Sequence, residues 1–294
     1  MSLSLPQIST NVRFAASALL FPELAGAWAE RLFLTPPRNG AAAALDLIEA
    51  RSALIEHKGR HIATWRWGSR DAPLVVLAHG WGGYAAQMRA FVFPLLSAGY
   101  QVVAYDQPAH GVSEGRLTGL PDFADVLADI AWHYGGAHAV VAHSLGAGAA
   151  ALALANGRLR FDKVVLVSPP ADLVGYSRRF ARWHWMPETV RRAMQSAIEE
   201  RYGVAWESLE VTRLAPRFRT PALVIHDRDD RMVPWTHGTQ VAQAWPGARI
   251  MSTDGLGHLR ILRDDAVTRA AADFIAGRSG VASPAAQAQP APLY

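Results

Sequence analysis

Residues 139–155 read AVVAHSLGAGAAALALA, and at Ser144 the pattern changes from that of a buried strand to that of a helix. A serine on such a tight turn takes strained backbone angles, and the residues two positions away must be small. Ala142 and Gly146 meet this requirement, although Ala142 departs from the G-x-S-x-G pattern. The helix start would direct amide N–H groups at the Ser144 oxygen and favour a developing anion. A surface serine that only caps the helix is the alternative interpretation.

A glycine-rich loop follows another apolar run. Residues 77–83 read LAHGWGG, and glycines free the backbone to present N–H groups, as an oxyanion hole requires. A dinucleotide-binding loop is the competing idea. It fails because Ala85 stands where the last glycine of G-x-G-x-x-G belongs, and because Trp81 would block a pyrophosphate.

Two late loops carry acidic residues and a histidine. Residues 225–234 read IHDRDDRMVP, and residues 255–258 read GLGH. Serine, then acid, then histidine is the chain order of one hydrolase architecture. A calcium-binding loop beginning at Asp227 fails, because Met232 and Gly238 stand where glycine and glutamate are needed. The chain has no cysteine, and its histidine spacing defines no metal site.

Short apolar runs alternate with helical patterns along most of the chain. Strands are predicted at 62–67, 74–78, 101–105, 138–142, 163–167, 222–225 and 249–252, and helices at 85–98, 121–134, 145–156, 236–244 and 264–276. This alternation predicts an α/β fold with a mostly parallel sheet flanked by helices.

The predicted domain organisation has four parts. Residues 1–50 form a helical N-terminal extension, and residues 51–168 and 219–279 form the α/β core. Residues 169–218 contain no strand pattern, and one helix there should begin after Pro187 and end at Gly203. The tail, 280–294, is rich in alanine and proline and is predicted to be disordered.

A fourth motif completes a family pattern. Residues 106–113, DQPAHGVS, resemble the D-x-x-G-x-G-x-S loop of the α/β-hydrolase superfamily, with Ala109 in place of glycine. With the three motifs above, residues 54–276 resemble its serine-type members, in the carboxylesterase and lysophospholipase-like branch. The resemblance implies an α/β-hydrolase fold with a helical cap, 169–218, inserted after the sixth strand.

The resemblance also assigns catalytic roles. Ser144 aligns with the nucleophile and His258 with the general base. Asp230 matches the family acid, because it opens the D-x-x-V-P pattern that ends at Pro234. Asp229 and, beyond the strand that follows the serine, Asp172 are the alternatives.

The oxyanion donors implied by the resemblance are the backbone N–H groups of Leu145 and Trp81. A serine triad attacks acyl carbon and forms an acyl-enzyme, so the expected reaction is carboxylic ester hydrolysis with a small-molecule ester as partner. A serine argues against dehalogenases and epoxide hydrolases of this fold, which use aspartate. Thioesterase, lactonase, amidase or peptidase, acyltransferase and carbon–carbon hydrolase activities stay open, as does a ligand-binding receptor with little turnover. No metal or other cofactor is implied.

Other polar and aromatic residues near these motifs have two interpretations each. His79 is expected to hold the glycine loop by hydrogen bonds, and His143 to bond locally, although both could line the substrate pocket. Trp183 and Trp185, with Met186, could line an acyl pocket or form the small core of the cap.

Composition excludes several other classes. Half of the 294 residues are hydrophobic and 18% are charged, which argues against a disordered chain. The net charge of +4 comes from scattered arginines, so nucleic-acid binding is not predicted; the denser stretch 178–192 is interpreted as a solvated helix face rather than an attractor of anionic substrates. No apolar run is long enough for stable membrane insertion. Residues 14–21 faintly resemble a secretory signal, but Pro22 and Glu23 interrupt it, so a cytoplasmic location is favoured over a secreted or periplasmic one. A homodimer is compatible with the sequence.

Overall fold

The core of the protein is one eight-stranded sheet. A computed structural model describes residues 22–37 and 50–278, and within them the strand order is β1-β2-β4-β3-β5-β6-β7-β8. The strands are β1 Arg51–His57, β2 Arg60–Trp67, β3 Leu74–Ala78, β4 Gln101–Tyr105, β5 Ala139–His143, β6 Lys163–Val167, β7 Ala222–Asp227 and β8 Arg249–Thr253.

Strand direction follows the expected pattern. The pairs β1–β2 and β2–β4 are antiparallel, and β4, β3, β5, β6, β7 and β8 run parallel to one another. All residues of β3, β4, β5 and β7 are buried, because helices cover both faces of the sheet. The predicted α/β class is therefore confirmed.

Helices cover the two faces of the sheet. The described helices are α1 Pro22–Phe33, α2 Val92–Ser97, α3 Leu120–His133, α4 Leu145–Ala155, α5 Leu173–Trp183, α6 Glu188–Tyr202, α7 Val211–Leu214, α8 Trp235–Ala244, α9 Gly257–Arg260 and α10 Asp265–Ile275. Short 3₁₀ turns lie at Ala85–Phe91, Trp206–Leu209, Ala215–Arg217 and Ile261–Arg263. Helices α3, α4 and α8 contribute to the apolar core on one face, and α2 and α10 to the core on the other.

The region between β6 and β7 is helical, as predicted. Helix α6 follows Pro187 and ends at Gly203, which takes a left-handed φ of 64° that favours glycine. Helix α1 packs against α6 and shares a small apolar core with it. No helix among the described residues has the length and apolarity needed to cross a membrane.

Several sequence expectations fall outside the described residues or differ from the structure. Residues 1–21, 38–49 and 279–294 are not described, so most of the predicted extension and the predicted disordered tail stay predictions. The pattern does not predict β1, whose residues are mostly exposed and carry no continuous apolar run. The helix predicted at 85–98 is divided into a 3₁₀ turn and α2.

Candidate active site

Ser144 lies on a sharp turn between β5 and α4, at the carboxyl edge of the sheet. Its backbone has φ 52° and ψ −123°, a conformation that costs a non-glycine residue free energy. The turn is tight because α4 starts directly against β3: a Cβ built on Gly146 would lie 2.6 Å from the His79 carbonyl oxygen. A Cβ on Gly80 would lie 2.7 Å from the Ser144 Cβ. Glycines at these two positions therefore let the strand, the helix and the glycine loop meet at the serine.

The glycine loop is held in place by a buried histidine. His79 donates from Nδ1 to the Gly80 carbonyl oxygen at 2.7 Å, and its Nε2 accepts from the Gln107 backbone N–H at 2.9 Å. Burial, with a smaller effect of His110, lowers the pKa of His79 from 6.5 to about 3. The ring is therefore neutral at pH 7, which this pair of hydrogen bonds requires. His79 does not line the cavity described below, so its expected role in the loop fits the structure and its placement in the substrate pocket does not.

Two residues beside this turn have a backbone N–H group without a hydrogen-bond partner among the described residues. Among the residues that the structure describes, neither the Trp81 N–H nor the Leu145 N–H makes a hydrogen bond. The Leu145 N–H belongs to the first residue of α4, where intrahelical partners are absent. Both residues line the cavity with Ser144.

The loop after β4 is bonded to the 3₁₀ turn that follows the glycine loop. Asp106 accepts hydrogen bonds from the backbone N–H groups of Ala85 and Val112, at 2.7 and 2.9 Å. Burial raises the pKa of Asp106, and these two bonds oppose that rise. Ala109 takes a left-handed φ of 64°, which explains why glycine is the residue expected at this position of the motif.

A histidine and a carboxylate meet at the same edge. His258, on α9, donates from Nδ1 to Asp230 Oδ2 at 2.7 Å. The Asp230 side chain is fully buried, and its other oxygen accepts from the backbone N–H groups of Met232 and Val233 at 2.9 Å each. Burial alone would raise the pKa of Asp230, but hydrogen bonds from His226, His258 and Val233 hold it well below its usual range. Asp230 is therefore a carboxylate at neutral pH.

The other two candidate carboxylates, Asp229 and Asp172, accept hydrogen bonds from backbone N–H groups. The exposed Asp229 accepts from the Gly255 backbone N–H at 2.8 Å. Asp172 caps α5 by accepting from the Gly175 N–H at 2.6 Å. Of the three candidate carboxylates, Asp230 is the one that contacts His258. Within residues 22–37 and 50–278, no group of three or more histidine, aspartate or glutamate side chains is arranged to hold a metal ion.

Asp227 joins the loop that carries the acid to the loop that carries His258. Its Oδ1 accepts from the N–H groups of Asp229 and Gly257, at 3.0 and 2.9 Å. Its Oδ2 accepts from the Leu256 N–H at 3.0 Å and from the Thr253 hydroxyl at 2.7 Å. Although burial opposes it, these hydrogen bonds lower the pKa of Asp227. The sequence places Asp227 in the acidic cluster but gives no signal for this bridging role.

His143 lies behind His258. Its ring centroid is 4.6 Å from that of His258, and its Nε2 donates to the His258 carbonyl oxygen at 3.0 Å. Burial and the neighbouring His258 lower the pKa of His143 well below 6.5, so the ring is neutral. His143 thus bonds locally, as expected, and it also lines the cavity.

Ser144 and His258 line one cavity of about 410 Å³ above this edge. No hydrogen bond joins the Ser144 hydroxyl to His258 in the described part of the chain. The walls are mainly apolar and aromatic, and they come from the glycine loop, α1, α5, α6 and the 3₁₀ turn after α6. The lining aromatic residues are Phe33, Trp81, Tyr176, Tyr202 and Trp206.

The expectation that Trp183 and Trp185 line the pocket is not met. Both side chains are about half exposed, at 48% and 50%, and neither lines the cavity. Trp183 is the last residue of α5, and Trp185 takes a positive φ of 51° in the turn to α6, which leaves both rings at the surface. Met186 is buried in the small core between α1, α5 and α6, as its alternative interpretation predicts. Tyr176 and Trp206, which the motifs do not single out, line the cavity instead.

The strand order and the serine on the turn between β5 and α4 define the class of protein: an α/β hydrolase. A sequence model of the Alpha/beta hydrolase family matches residues 75–271, so the chain belongs to this family. It is 27% identical, over 65% of its length and 87% of the relative, to a bifunctional esterase/perhydrolase of Acinetobacter calcoaceticus. It is also 27% identical, over 68% of its length and 90% of the relative, to a non-heme chloroperoxidase of Streptomyces lividans.

Solved structures share the fold at low identity. An esterase of Pyrococcus furiosus superposes with a TM-score of 0.62 and 21% identity, covering 82% of this chain and 98% of its own. A thermophilic esterase of Thermogutta terrifontis superposes with a TM-score of 0.61 and 20% identity, covering 78% of this chain and 99% of its own. These similarities establish the architecture, and the family membership supports a general role as a hydrolase.

Proposed function

We propose that the protein hydrolyses carboxylic esters through an acyl-enzyme, with Ser144 as nucleophile, His258 as general base and Asp230 as the acid that orients it. One observation carries the proposal: Ser144 shares its cavity with a histidine whose Nδ1 is bonded to a buried carboxylate. A hydroxyl is a poor nucleophile at neutral pH, and an oriented imidazole removes its proton during attack.

In the first half of the reaction the Ser144 Oγ attacks the ester carbonyl carbon. Because the Nδ1–H of His258 is bonded to Asp230, the lone pair of Nε2 is available to take the serine proton. The Asp230 carboxylate stabilises the imidazolium that forms. The Ser144–His258 contact is expected to close when substrate binds, since catalytic hydrogen bonds are often long or absent without it.

The carbonyl oxygen becomes an oxyanion as the new bond forms. The N–H groups of Leu145 and Trp81, which have no other partner among the described residues, are proposed to donate to it. When the intermediate collapses, the bond to the alcohol oxygen breaks and the His258 Nε2–H protonates the leaving alcohol. Ser144 is then acylated and His258 is neutral again.

Water completes the cycle. It attacks the acyl carbon and gives one proton to His258 Nε2, and the second tetrahedral intermediate expels the Ser144 oxygen. His258 returns the proton to that oxygen, and the carboxylic acid leaves. Each turnover consumes one ester and one water and releases one acid and one alcohol.

The walls of the cavity favour an ester with an apolar acyl group. Among the described lining residues, Arg179 is the single Asp, Glu, Lys or Arg side chain.

We propose that residues 169–218 act as the cap over the site, because Leu173, Tyr176, Ile198 and Trp206 from this region line the cavity. Such a cap excludes water from the reacting groups and strengthens their electrostatic interactions.

Turnover of p-nitrophenyl esters of increasing chain length tests this function. Multiple turnovers per enzyme are expected, with short apolar esters such as butyrate favoured over acetate. A single stoichiometric release without turnover would identify a receptor-like protein instead. Thioesters, lactones, amides and added alcohol acceptors, assayed in parallel, would rank the alternatives. Faster turnover of any of these than of every ester would contradict the proposed preference.

A further inference from the structure

Part of the cavity wall comes from a segment that precedes the region matched by the family model. Phe33, Leu34 and Pro37 line the cavity, whereas the match begins at residue 75. Residues 33–37, which we call the N-terminal strap, run from the end of α1 to the glycine loop. The site therefore has a wall in this protein that the family pattern does not describe.

The strap is anchored at its start by α1. Gly26 of α1 lies so close to α6 that a Cβ on it would be 3.0 Å from the Ala193 Cβ. Ala25 and Ala29 are buried against α6, and Glu30 forms an ion pair with Arg201 of α6 at 2.5 Å. Small residues and the ion pair thus seat α1 closely on α6.

The strap is also anchored along its length. The Leu34 carbonyl oxygen accepts from the Thr118 backbone N–H at 2.9 Å, and the Leu34 side chain is buried. At its far end Pro37 packs on the glycine loop, where a Cβ on Gly82 would lie 3.0 Å from the Pro37 Cγ. Gly82 directly follows Trp81, the proposed oxyanion donor. The strap thus connects α6 with the glycine loop.

Phe33 is the centre of the aromatic wall. Its ring contacts Tyr176 edge-on with centroids 5.8 Å apart, and its centroid is 5.3 Å from that of Trp206. The ring of a third neighbour, Phe180, also contacts Phe33 edge-on, with the two ring centroids 4.9 Å apart. Ring contacts of this kind stabilise the position of Phe33, so we expect the wall to keep a definite shape.

From these contacts we infer that the N-terminal strap determines acyl selectivity, with Phe33 limiting the substrate to a compact apolar acyl group and disfavouring long straight chains. This inference rests on the proposed esterase function and names its substrate class. The wall excludes by volume: a fixed phenyl ring occupies space that an extended acyl chain would otherwise enter. Removing the ring should let longer chains bind in the transition state.

The test compares Phe33→Ala with Phe93→Ala in the full chain. Phe93 lies on α2, is 76% exposed and does not line the cavity, so it controls for the substitution itself. We expect Phe33→Ala to raise the ratio of kcat/KM for p-nitrophenyl decanoate to that for p-nitrophenyl butyrate about tenfold or more, since one methylene in an apolar pocket changes kcat/KM by roughly 10-fold. Phe93→Ala should leave this ratio unchanged.

The other outcomes are also decisive. Phe33→Leu, a smaller change that retains an apolar side chain, should shift the ratio in the same direction if Phe33→Ala does not fold. An equal change on every ester, or an unchanged ratio in a folded Phe33 variant, would overturn the selectivity role while leaving the esterase function intact. Absence of turnover in the natural sequence would overturn the proposed function and this inference with it.

Discussion

Ser144 and Ser168 directly follow the neighbouring parallel strands β5 and β6, and both take a positive φ, of 52° and 50°. The Ser144 N–H donates to the Val167 carbonyl oxygen at 2.9 Å, and the Ser168 N–H donates to that of Ile225 at 2.8 Å. Only Ser144 of the two lines the cavity, and the Ser168 hydroxyl is buried without a hydrogen-bond partner among the described residues. The strained turn is thus not sufficient for a site; the cavity and His258 distinguish the two serines.

The two adjacent aspartates should behave differently. Asp230→Asn removes the carboxylate bonded to His258 and favours the wrong imidazole tautomer, so kcat should fall about 10⁴-fold. Asp229→Asn, which leaves the His258 contact in place, should change kcat less than about threefold. Steady-state kinetics on one p-nitrophenyl ester measure both. Equal losses in the two variants would argue against Asp230 as the carboxylate that orients His258.

Asp227 is predicted to position His258 without touching the substrate. Asp227→Asn places an NH₂ group against backbone N–H donors, so the histidine loop should shift and kcat should fall about 10- to 100-fold with little change in KM. Thr253→Val removes one neutral donor to Asp227 and leaves the Leu256 and Gly257 bonds, so it serves as the control. A loss confined to KM, or a full loss of stability without a kinetic effect at low temperature, would contradict a positioning role.

Stability should fall as the pH drops below about 6. The pKa of buried His79 is lowered to about 3. Between pH 6.5 and pH 3, the His79 ring therefore binds a proton in the unfolded chain but not in the folded chain. This group therefore lowers the free energy of unfolding by about 1.4 kcal/mol for each pH unit of acidification in that window. The lowered pKa of His143 acts in the same direction.

Urea unfolding at pH 5, 6 and 7 measures this slope. His79→Gln removes one titrating group and should reduce the slope by about one proton. His133→Gln, at an exposed position of α3, is the matched control for the substitution itself. A slope unaffected by His79→Gln would show that the ring does not stay neutral in the folded state.

Two glycines of α4 should respond differently to alanine. A Cβ at Gly146 would lie 2.6 Å from the His79 carbonyl oxygen of the glycine loop and 2.7 Å from the Ala78 carbonyl oxygen of β3, so Gly146→Ala should cost about 1–3 kcal/mol of stability. A Cβ at Gly148 meets the flexible Leu120 side chain at 3.3 Å, and the gain in helix propensity of about 1 kcal/mol offsets the crowding. Thermal unfolding compares them. Equal shifts in Tm would mean that the turn at Ser144 has room for a Cβ at Gly146.

The sequence predicts the centre of the fold better than its edges. Strands β3, β4 and β6 agree with the predicted ranges to the residue, because continuous apolar runs such as LVVLA are typical of strands covered on both faces. Strand β1 pairs only with β2 at the sheet edge and is largely exposed, so it lacks that signal. Burial on both faces, rather than strand propensity, explains the difference.

The candidate site is predictable where the chemistry is local. Ser144 and its small neighbours form one short motif, and the chain order of acid and histidine follows from loops that end adjacent strands. The roles of Asp227, Phe33 and Trp206 depend on contacts between distant segments, which a single sequence does not encode as a pattern. The exposed Trp183 and Trp185 show the converse: aromatic residues near a site need not face it.

Fluorophosphonate labelling, with the modified residue mapped by mass spectrometry, determines whether Ser144 is the activated nucleophile. The natural protein and the Ser168→Ala variant should each be labelled once, on Ser144. Each should lose ester turnover in proportion to the fraction of protein that is labelled. Ser144→Ala should remain folded, resist labelling and lose turnover by about 10³-fold or more. Labelling of a different residue, or full ester turnover by Ser144→Ala, would show that Ser144 is not the nucleophile.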